Sequence, residues 1–316
     1  MGAYAGSSVK PAAVLEGSTI AVISPASHPQ PERIERAIGT LEALGYKVKR
    51  GEHLLSKRKP YFAGSVAERL ADLHAAFADE EVAAIICSRG GYGSNYLLSG
   101  LDLEVVRRNP KPFFGYSDVS ALQSVFLDRA GLVTFHGPML SADFAEVNGF
   151  DLPSFQGVLT GATVSYGAAE GLRVLRTGRA SGVLAGGCLS ILTAAMGTPF
   201  AAATEGKLLF LEDVGTKPYQ VDRMLRQMIL GGKLDGVKGV IFGEMMNCVS
   251  PGADAGLLDD VILRVLEGVE GPIAIGLRSG HVTHGNVTLP LGVMAELNLE
   301  GEPQLRMLEP AVSRKR

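Results

Sequence analysis

The chain has 316 residues, 46% of them apolar and 20% charged, enough for two domains around a sizeable core. Thirty basic residues against 33 acidic ones leave a formal charge of −3, which gives no electrostatic footprint for nucleic acid or for an anionic membrane. No run of about 18 apolar residues is present, so no transmembrane helix is expected.

Taken in chain order, the first thirty residues carry Lys10 as their sole base and no apolar stretch of signal-peptide type. Gly6 stands where an N-myristoylation pattern needs Ser or Thr, so no acylation is expected. Thr19–Ser24 reads as a buried strand ended by Pro25. Pro31 suits the first position of a helix, with Ile34, Ile38, Leu41 and Leu44 on one face and Gly45 as its stop. Lys47–Arg50 is a more exposed strand. Ser65 and Glu68 have the spacing of a capping box ahead of Leu70, Leu73 and Phe77 on the next helix. Val82–Ser88 is the strongest buried strand. Lys111–Tyr116 leads into a helix from Asp118, with Val119, Leu122, Val125 and Phe126 inward and Gly131 at its end. This βαβα order predicts an α/β fold whose first domain, residues 1–150, holds a doubly wound, mainly parallel sheet.

Forty glycines, about one residue in eight, exceed the usual ~7%, and they crowd around Asp151–Gly187. Residues 151–180 are accordingly expected to form a crossing between domains. The second domain, 181–316, opens with a helix near Leu189–Met196, a strand at Leu208–Glu212 and a helix from Pro218. From Val237 onward strands are expected to dominate: Val240–Gly243, Ile273–Leu277, Val287–Leu291, Ala295–Leu299 and Gln304–Leu308, the last two as a hairpin. This half is read as strand-rich and β-barrel-like.

Chemistry is expected where strands end, since open α/β sheets bind ligands beyond the carboxyl ends of their strands. Arg89-Gly90-Gly91-Tyr92-Gly93 follows the strongest strand. Glycines there either form a turn or let backbone N–H groups approach an anion. The dinucleotide fingerprint fails because Tyr96 occupies its third glycine, which argues against a nicotinamide oxidoreductase. In Gly115-Tyr116-Ser117-Asp118-Val119 the serine sits between a strand and a helix. It is either an exposed nucleophile on a half-matched elbow or a helix cap.

Six histidines sort by position. His28 and His53 fall in polar loops, and His74 lies on a helix without an evident partner. His136 ends a strand near the same sheet edge. His281 follows the apolar Ile273–Leu277 strand and is the more plausible base, with His284 a solvated neighbour. Glu212-Asp213 closes an apolar strand, where a carboxylate pair is costly unless hydrogen-bonded or aimed at a site. A carboxylate that orients a histidine is one such use. A rival constellation puts Cys188 at a helix start as a thiolate, with His136 or His281 as base. Cys87, Cys188 and Cys248 are too few and scattered for a disulfide scaffold and suit a reducing cytosol. No Cys, His and carboxylate spacing points to a metal, so no metal or cofactor is expected.

These segments together resemble the LD-carboxypeptidase family, serine peptidases that include murein tetrapeptide carboxypeptidases and microcin C immunity peptidases. The matching pieces are SPAS at Ser24–Ser27, RGGYG at Arg89–Gly93, FGYSD at Phe114–Asp118 and HGPM at His136–Met139. LFLED at Leu209–Asp213, DRML at Asp222–Leu225, GH at Gly280–His281 and LPLG at Leu289–Gly292 complete the series. The resemblance implies a Ser–His–Glu triad of Ser117, His281 and Glu212, and an oxyanion hole from the N–H groups of Gly91 and Asp118. It also implies a cytoplasmic, metal-independent homodimer acting on a small peptide. The family's usual Gly-Gly-Asn is Gly186-Gly187-Cys188 here.

The expected reaction is hydrolysis, through an acyl-enzyme, of the bond to the terminal D-alanine of a murein tetrapeptide, as in peptidoglycan recycling, with Arg89 available for the substrate carboxylate. The alternative within the family is cleavage of peptidyl- or aminoacyl-adenylates, which want a stacking surface such as tryptophan; the chain has none. A non-catalytic small-ligand-binding α/β protein is the alternative of another class, and it would not need Glu212 or His281.

Overall fold

The computed structural model describes residues 8–252, 254 and 256–313, so Gly6, on which the acylation reading turns, lies outside the described residues. The first part runs β1 (Thr19–Ile23), α1 (Pro31–Ala43), β2 (Lys47–Arg50), α2 (Val66–Ala78), β3 (Val82–Cys87), α3 (Leu103–Arg108), β4 (Phe113–Gly115), α4 (Ser120–Ala130) and β5 (Thr134–His136). Next come α5 (Leu152–Thr160), β6 (Ser165–Gly167), β7 (Arg173–Arg176), β8 (Arg179–Cys188), α6 (Leu189–Ala194), β9 (Lys207–Glu212) and α7 (Pro218–Leu230). The chain closes with β10 (Gly239–Gly243), α8 (Leu257–Val265), β11 (Ile273–Leu277), β12 (Leu289–Leu291), β13 (Met294–Asn298) and β14 (Gln304–Met307).

Local sequence accounts for the first elements. Pro31 opens α1, which buries Ile34, Ala37, Ile38 and Leu41 at roughly 1.5–3 kcal/mol for each large side chain. The capping box of α2 is formed in both directions, with Ser65 N–H donating to Glu68 Oε2 at 2.6 Å and Glu68 N–H to Ser65 Oγ at 3.2 Å. Gly131 ends α4 at φ 70°, where a side chain would be strained.

Six strands form the first sheet, in the order β12-β5-β4-β3-β1-β2, parallel throughout except for β12. Eight form the second, ordered β6-β14-β13-β8-β9-β10-β11-β7, and its ladder is open at β6 and β7. Strand-rich as this half is, its central run β8-β9-β10-β11 is parallel, with antiparallel strands on either side. One apolar core joins the sheets: Ile20, Phe114 and Phe135 from the first pack with Leu208, Phe210 and Ile241 from the second. Two further cores lie under α2, α3 and α4 and under α7 and α8.

The structure departs from the sequence expectations in four places. Segment 151–180, read as a crossing, folds into α5, β6 and β7, and the two strands become opposite edges of the second sheet. The glycine-rich stretch before Cys188 is β8, a ten-residue central strand. Its glycines are required by close approach: a Cβ at Gly186 would stand 1.8 Å from Phe210 O, and one at Gly187 2.6 Å from Ser120 Oγ. Helix α8 lies in the region where strands are expected to dominate, between Val240–Gly243 and Ile273–Leu277, and buries Leu258 and Ile262 one turn apart. Finally, β12 does not join its second-half neighbours; it pairs antiparallel with β5 in the first sheet, Leu289 opposite His136. The loop from β11 to β12 therefore crosses from one sheet to the other, and it carries His281.

Among the described residues no helix is long and apolar enough to cross a membrane.

Candidate active site

The crossing of the β11–β12 loop brings together the carboxyl ends of four strands. Ser117 follows β4, Arg89-Gly90-Gly91 follows β3, Glu212 ends β9, and His136 ends β5. A cavity of about 320 Å³ lies over this junction, lined among others by Arg89, Gly90, Gly91, Tyr116, Ser117 and His281.

Ser117 is held at φ 61°, left-handed backbone that is uncommon for a residue other than glycine. The turn is sharp because β4 gives way at once to a single 3₁₀ turn, Ser117–Val119, which runs on into α4. Gly90 makes room for it: a Cβ there would come within 2.9 Å of Ser117 Oγ and 3.2 Å of the Asp118 nitrogen. The Asp118 N–H belongs to the first turn of this helical run and so has no partner inside it. The Asp118 side chain has separate work, since its Oδ2 accepts the Ser94 N–H at 2.7 Å and ties the glycine loop to the serine turn. Burial pushes the Asp118 carboxyl above its usual range, against the bonds from Ser94 and Gly93. Gly91 has φ 98°, and a Cβ there would meet Ser27 Oγ at 2.4 Å.

Glu212 is wholly buried. Its Oε2 accepts two hydrogen bonds from His281, one from the ring Nδ1 at 2.7 Å and one from the backbone N–H at 3.1 Å. Burial opposes the carboxylate charge, but the charge of His281, the bond it donates and the nearby His136 ring outweigh it and hold the group far below the usual carboxylate range. Burial works against the His281 cation as well; Glu212 at bonding distance, helped by Asp213 and Asp143, still raises the imidazole above its ordinary 6.5. An ionised carboxylate only accepts, so Nδ1 carries the hydrogen. Nε2 is then the free basic nitrogen of a ring that lines the cavity. No direct hydrogen bond joins it to Ser117 among the described residues, which is common in unliganded sites that tighten on binding substrate.

Among the described residues, Asp213 makes no hydrogen bond to His281. Its oxygens accept the N–H groups of Ser190 and Val214 and the Thr216 hydroxyl, at 2.8–2.9 Å, so it fixes the start of α6 and its own turn. Arg89 lines the cavity, and among the described residues its guanidinium has no ion-pair partner.

The rival thiolate is corrected. Cys188 is buried and lies in register with Glu212 across β8 and β9. Burial first, and then the charges of Glu212 and Asp213, push its thiol well above the ordinary value despite the helix start that was expected to lower it. Its backbone N–H, donating to Ser120 Oγ at 3.0 Å, anchors the second sheet to the serine-bearing helix.

Sequence reading misses the walls of the site. Tyr116 packs edge-on against the His281 ring, with centroids 5.1 Å apart. Asp143, in a single π-helical turn, accepts the Met139 N–H at 2.8 Å and the Asn286 amide at 3.1 Å. Burial pushes its carboxyl up to about 7 against those bonds and one to Tyr116. Asn286 in turn accepts the Gly280 N–H at 3.0 Å, which pins the loop beside His281. Arg33 lines the cavity and is held by Ser141 O and Glu146. None of these carries a local sequence signal. The unassigned histidines also find partners: His53 bonds Asp72 at 2.9 Å, and His74 accepts the Asp102 N–H at 3.0 Å. No group of three or more Cys, His, Asp or Glu side chains among the described residues is arranged to hold a metal ion.

Residues 20–137 match the LD-carboxypeptidase N-terminal domain, and residues 181–297 match the LD-carboxypeptidase C-terminal domain. The chain is 40% identical over 293 residues to the probable murein peptide carboxypeptidase of Bacillus subtilis (strain 168), covering 92% of this chain and 91% of that relative. Among solved structures it is similar to the muramoyltetrapeptide carboxypeptidase from Oxalobacter formigenes, with TM-score 0.83, 29% identity and coverage of 95% of this chain and 100% of that one. It is similar also to the microcin C7 self-immunity protein MccF in complex with aspartyl sulfamoyl adenosine, with TM-score 0.86, 27% identity and coverage of 96% and 100%.

Proposed function

The chain belongs to the LD-carboxypeptidase family, and from that premise we propose that it is a serine LD-carboxypeptidase releasing the terminal D-alanine of murein tetrapeptides. Ser117 Oγ attacks the scissile carbonyl while His281 Nε2 takes the hydroxyl proton. The Gly91 and Asp118 N–H groups stabilise the oxyanion of the tetrahedral intermediate. His281 then gives the proton to the departing amine of D-alanine, leaving an acyl-enzyme on Ser117. Water, deprotonated by the same nitrogen, hydrolyses that ester and restores the serine. Glu212 fixes the tautomer of His281 and stabilises its cation. The observation that carries this reading is the 2.7 Å hydrogen bond that His281 donates to a buried carboxylate, with the His281 ring lining one cavity together with a serine on left-handed backbone. A cytoplasmic homodimer goes with it, as the family resemblance implies.

Substrate choice rests on Arg89. A cavity-lining guanidinium free of internal partners suits a terminal carboxylate, which it can take through two parallel hydrogen bonds. The likeness to a self-immunity protein solved with aspartyl sulfamoyl adenosine favours an adenylate as the second reading, yet no tryptophan is available to stack on a base. Incubating the protein in parallel with murein tetrapeptide and an aminoacyl-sulfamoyl adenosine separates them. D-Alanine release is expected, with Arg89→Ala raising KM for the tetrapeptide roughly tenfold or more, as for a lost charged hydrogen bond. Adenylate cleavage with no D-alanine released would overturn the substrate and leave the proposed triad standing.

A further inference from the structure

His136, which ends β5, is wholly buried beneath Glu212. Its Nε2 lies 3.8 Å from Glu212 Oε1, and neither atom has a hydrogen-bond partner among the described residues. Buried polar atoms are seldom left so, and these two have few ways of being satisfied. A small rotation of ring or carboxylate closes the 3.8 Å gap to hydrogen-bond distance and satisfies both atoms at once.

The surroundings are built for that pairing. The other ring nitrogen, Nδ1, meets Ser279 Oγ at 3.1 Å. Ser279 lies on the crossover loop two residues before His281. Gly280 between them has φ 93°, and a Cβ there would fall 2.8 Å from both Glu212 Oε2 and His136 Cε1. Phe210 packs edge-on against the His136 ring, with centroids 5.1 Å apart.

We propose that His136 is a positioning residue for the site: it presents Nε2–H to Glu212 Oε1, so that Oε2 is left to His281 alone. In this tautomer the Ser279 hydroxyl, which lies 3.1 Å from Nδ1 and 3.3 Å from the His136 carbonyl oxygen, turns to donate to Nδ1. The inference rests on the Ser117–His281–Glu212 reading above. Its consequence has a definite sign. As a neutral donor or as a cation, His136 draws carboxylate charge away from His281, so removing it strengthens the hold of Glu212 on the His281 proton. The other groups facing His281 are Asp213, Asp143 and Tyr116, with Arg89 across the cavity, and the substitutions leave all four in place.

The test uses the full chain with His136→Phe, which cannot donate; His136→Gln, which keeps a donor near the Nε2 position; and Ser279→Ala, which frees the ring. With murein tetrapeptide as substrate, His136→Phe is expected to lower kcat about tenfold or more with KM little changed, as for other supporting partners of a reacting group. The acid limb of kcat/KM moves up by about half a pH unit. His136→Gln restores both, and Ser279→Ala moves the limb in the same direction by less. Nuclear magnetic resonance titration of the His281 ring in a Ser117→Ala background gives the same upward movement without relying on turnover. A limb and a ring titration that stay in place or move down in both His136→Phe and Ser279→Ala would overturn the proposal. Ser279→Ala decides alone if His136→Phe does not fold. Full turnover by Ser117→Ala would defeat the triad reading instead, and the ring titration would still judge His136.

Discussion

Replacing Ser117 by Ala is expected to lower kcat on murein tetrapeptide on the order of 10⁶-fold, as removal of the nucleophile does in other serine triads. The loss is chemical and not structural. Ser117 is only part-buried, and among the described residues no other side chain is hydrogen-bonded to its hydroxyl. Alanine tolerates the φ 61° backbone about as well as serine does, so unfolding stability is expected to stay within about 0.5 kcal/mol. KM moves little, because the hydroxyl is needed in the transition state more than in substrate binding. Steady-state kinetics beside a denaturant melt separates the two effects; near-normal turnover in a folded Ser117→Ala protein would remove the serine from the mechanism.

Glu212→Gln carries the second largest expected effect, a fall in kcat of about 10⁴-fold, by analogy with the amide replacement of a triad carboxylate. The amide keeps the volume, so the buried space between His281 and His136 stays filled. What it loses is the charge that raises His281. The proposed mechanism uses His281 as a neutral base, so in the native protein kcat/KM is expected to rise with pH through the His281 pKa, which Glu212 raises above the ordinary 6.5. The native acid limb is therefore expected above 6.5, with activity lost as pH falls below it. Without the charge the imidazolium is less stable, and the residual activity of Glu212→Gln follows a limb displaced to lower pH. His136→Phe displaces it the other way, so the two substitutions bracket the native profile. A Glu212→Gln limb that coincides with the native one would separate Glu212 from the titration of His281.

Where chemistry is local, sequence anticipates structure closely. Lys47–Arg50 is a strand end to end, and the Ser65–Glu68 capping box opens α2 as its spacing requires. Both features depend on residues within one turn or one strand. Strand β8 escapes such reasoning because glycine is poor in strands by propensity; what selects it at Gly186 and Gly187 is the approach of Phe210 and Ser120 from other elements. The place of β12 is similarly illegible. Leu289-Pro290-Leu291 is a short apolar run, and nothing in it says which of two sheets it completes. Yet that choice carries His281 across to Ser117.

The candidate site shows the same division. Ser117, Glu212 and His281 stand out singly because each ends or follows an apolar strand where a polar residue needs a reason. Their meeting is a property of topology. His136 is visible in sequence as a strand-end histidine, but its place behind Glu212 depends on the pairing of β5 with β4 and β12. The cavity walls of Tyr116 and Arg33, and the Asp143–Asn286 support, have no local signature. Cys188 shows the converse error: position at a helix start predicts a reactive thiol, and burial beside two carboxylates reverses it.

In the proposed mechanism Ser117 is the group that bonds covalently to substrate. The most direct measurement of this is labelling of the full chain with a fluorophosphonate serine reagent, followed by mass-spectrometric mapping of the modified peptide. One equivalent of label on Ser117, matched by loss of D-alanine release and absent from the Ser117→Ala protein, is the result predicted. Label on Cys188, or stoichiometric binding of murein tetrapeptide with neither label nor hydrolysis, would contradict it.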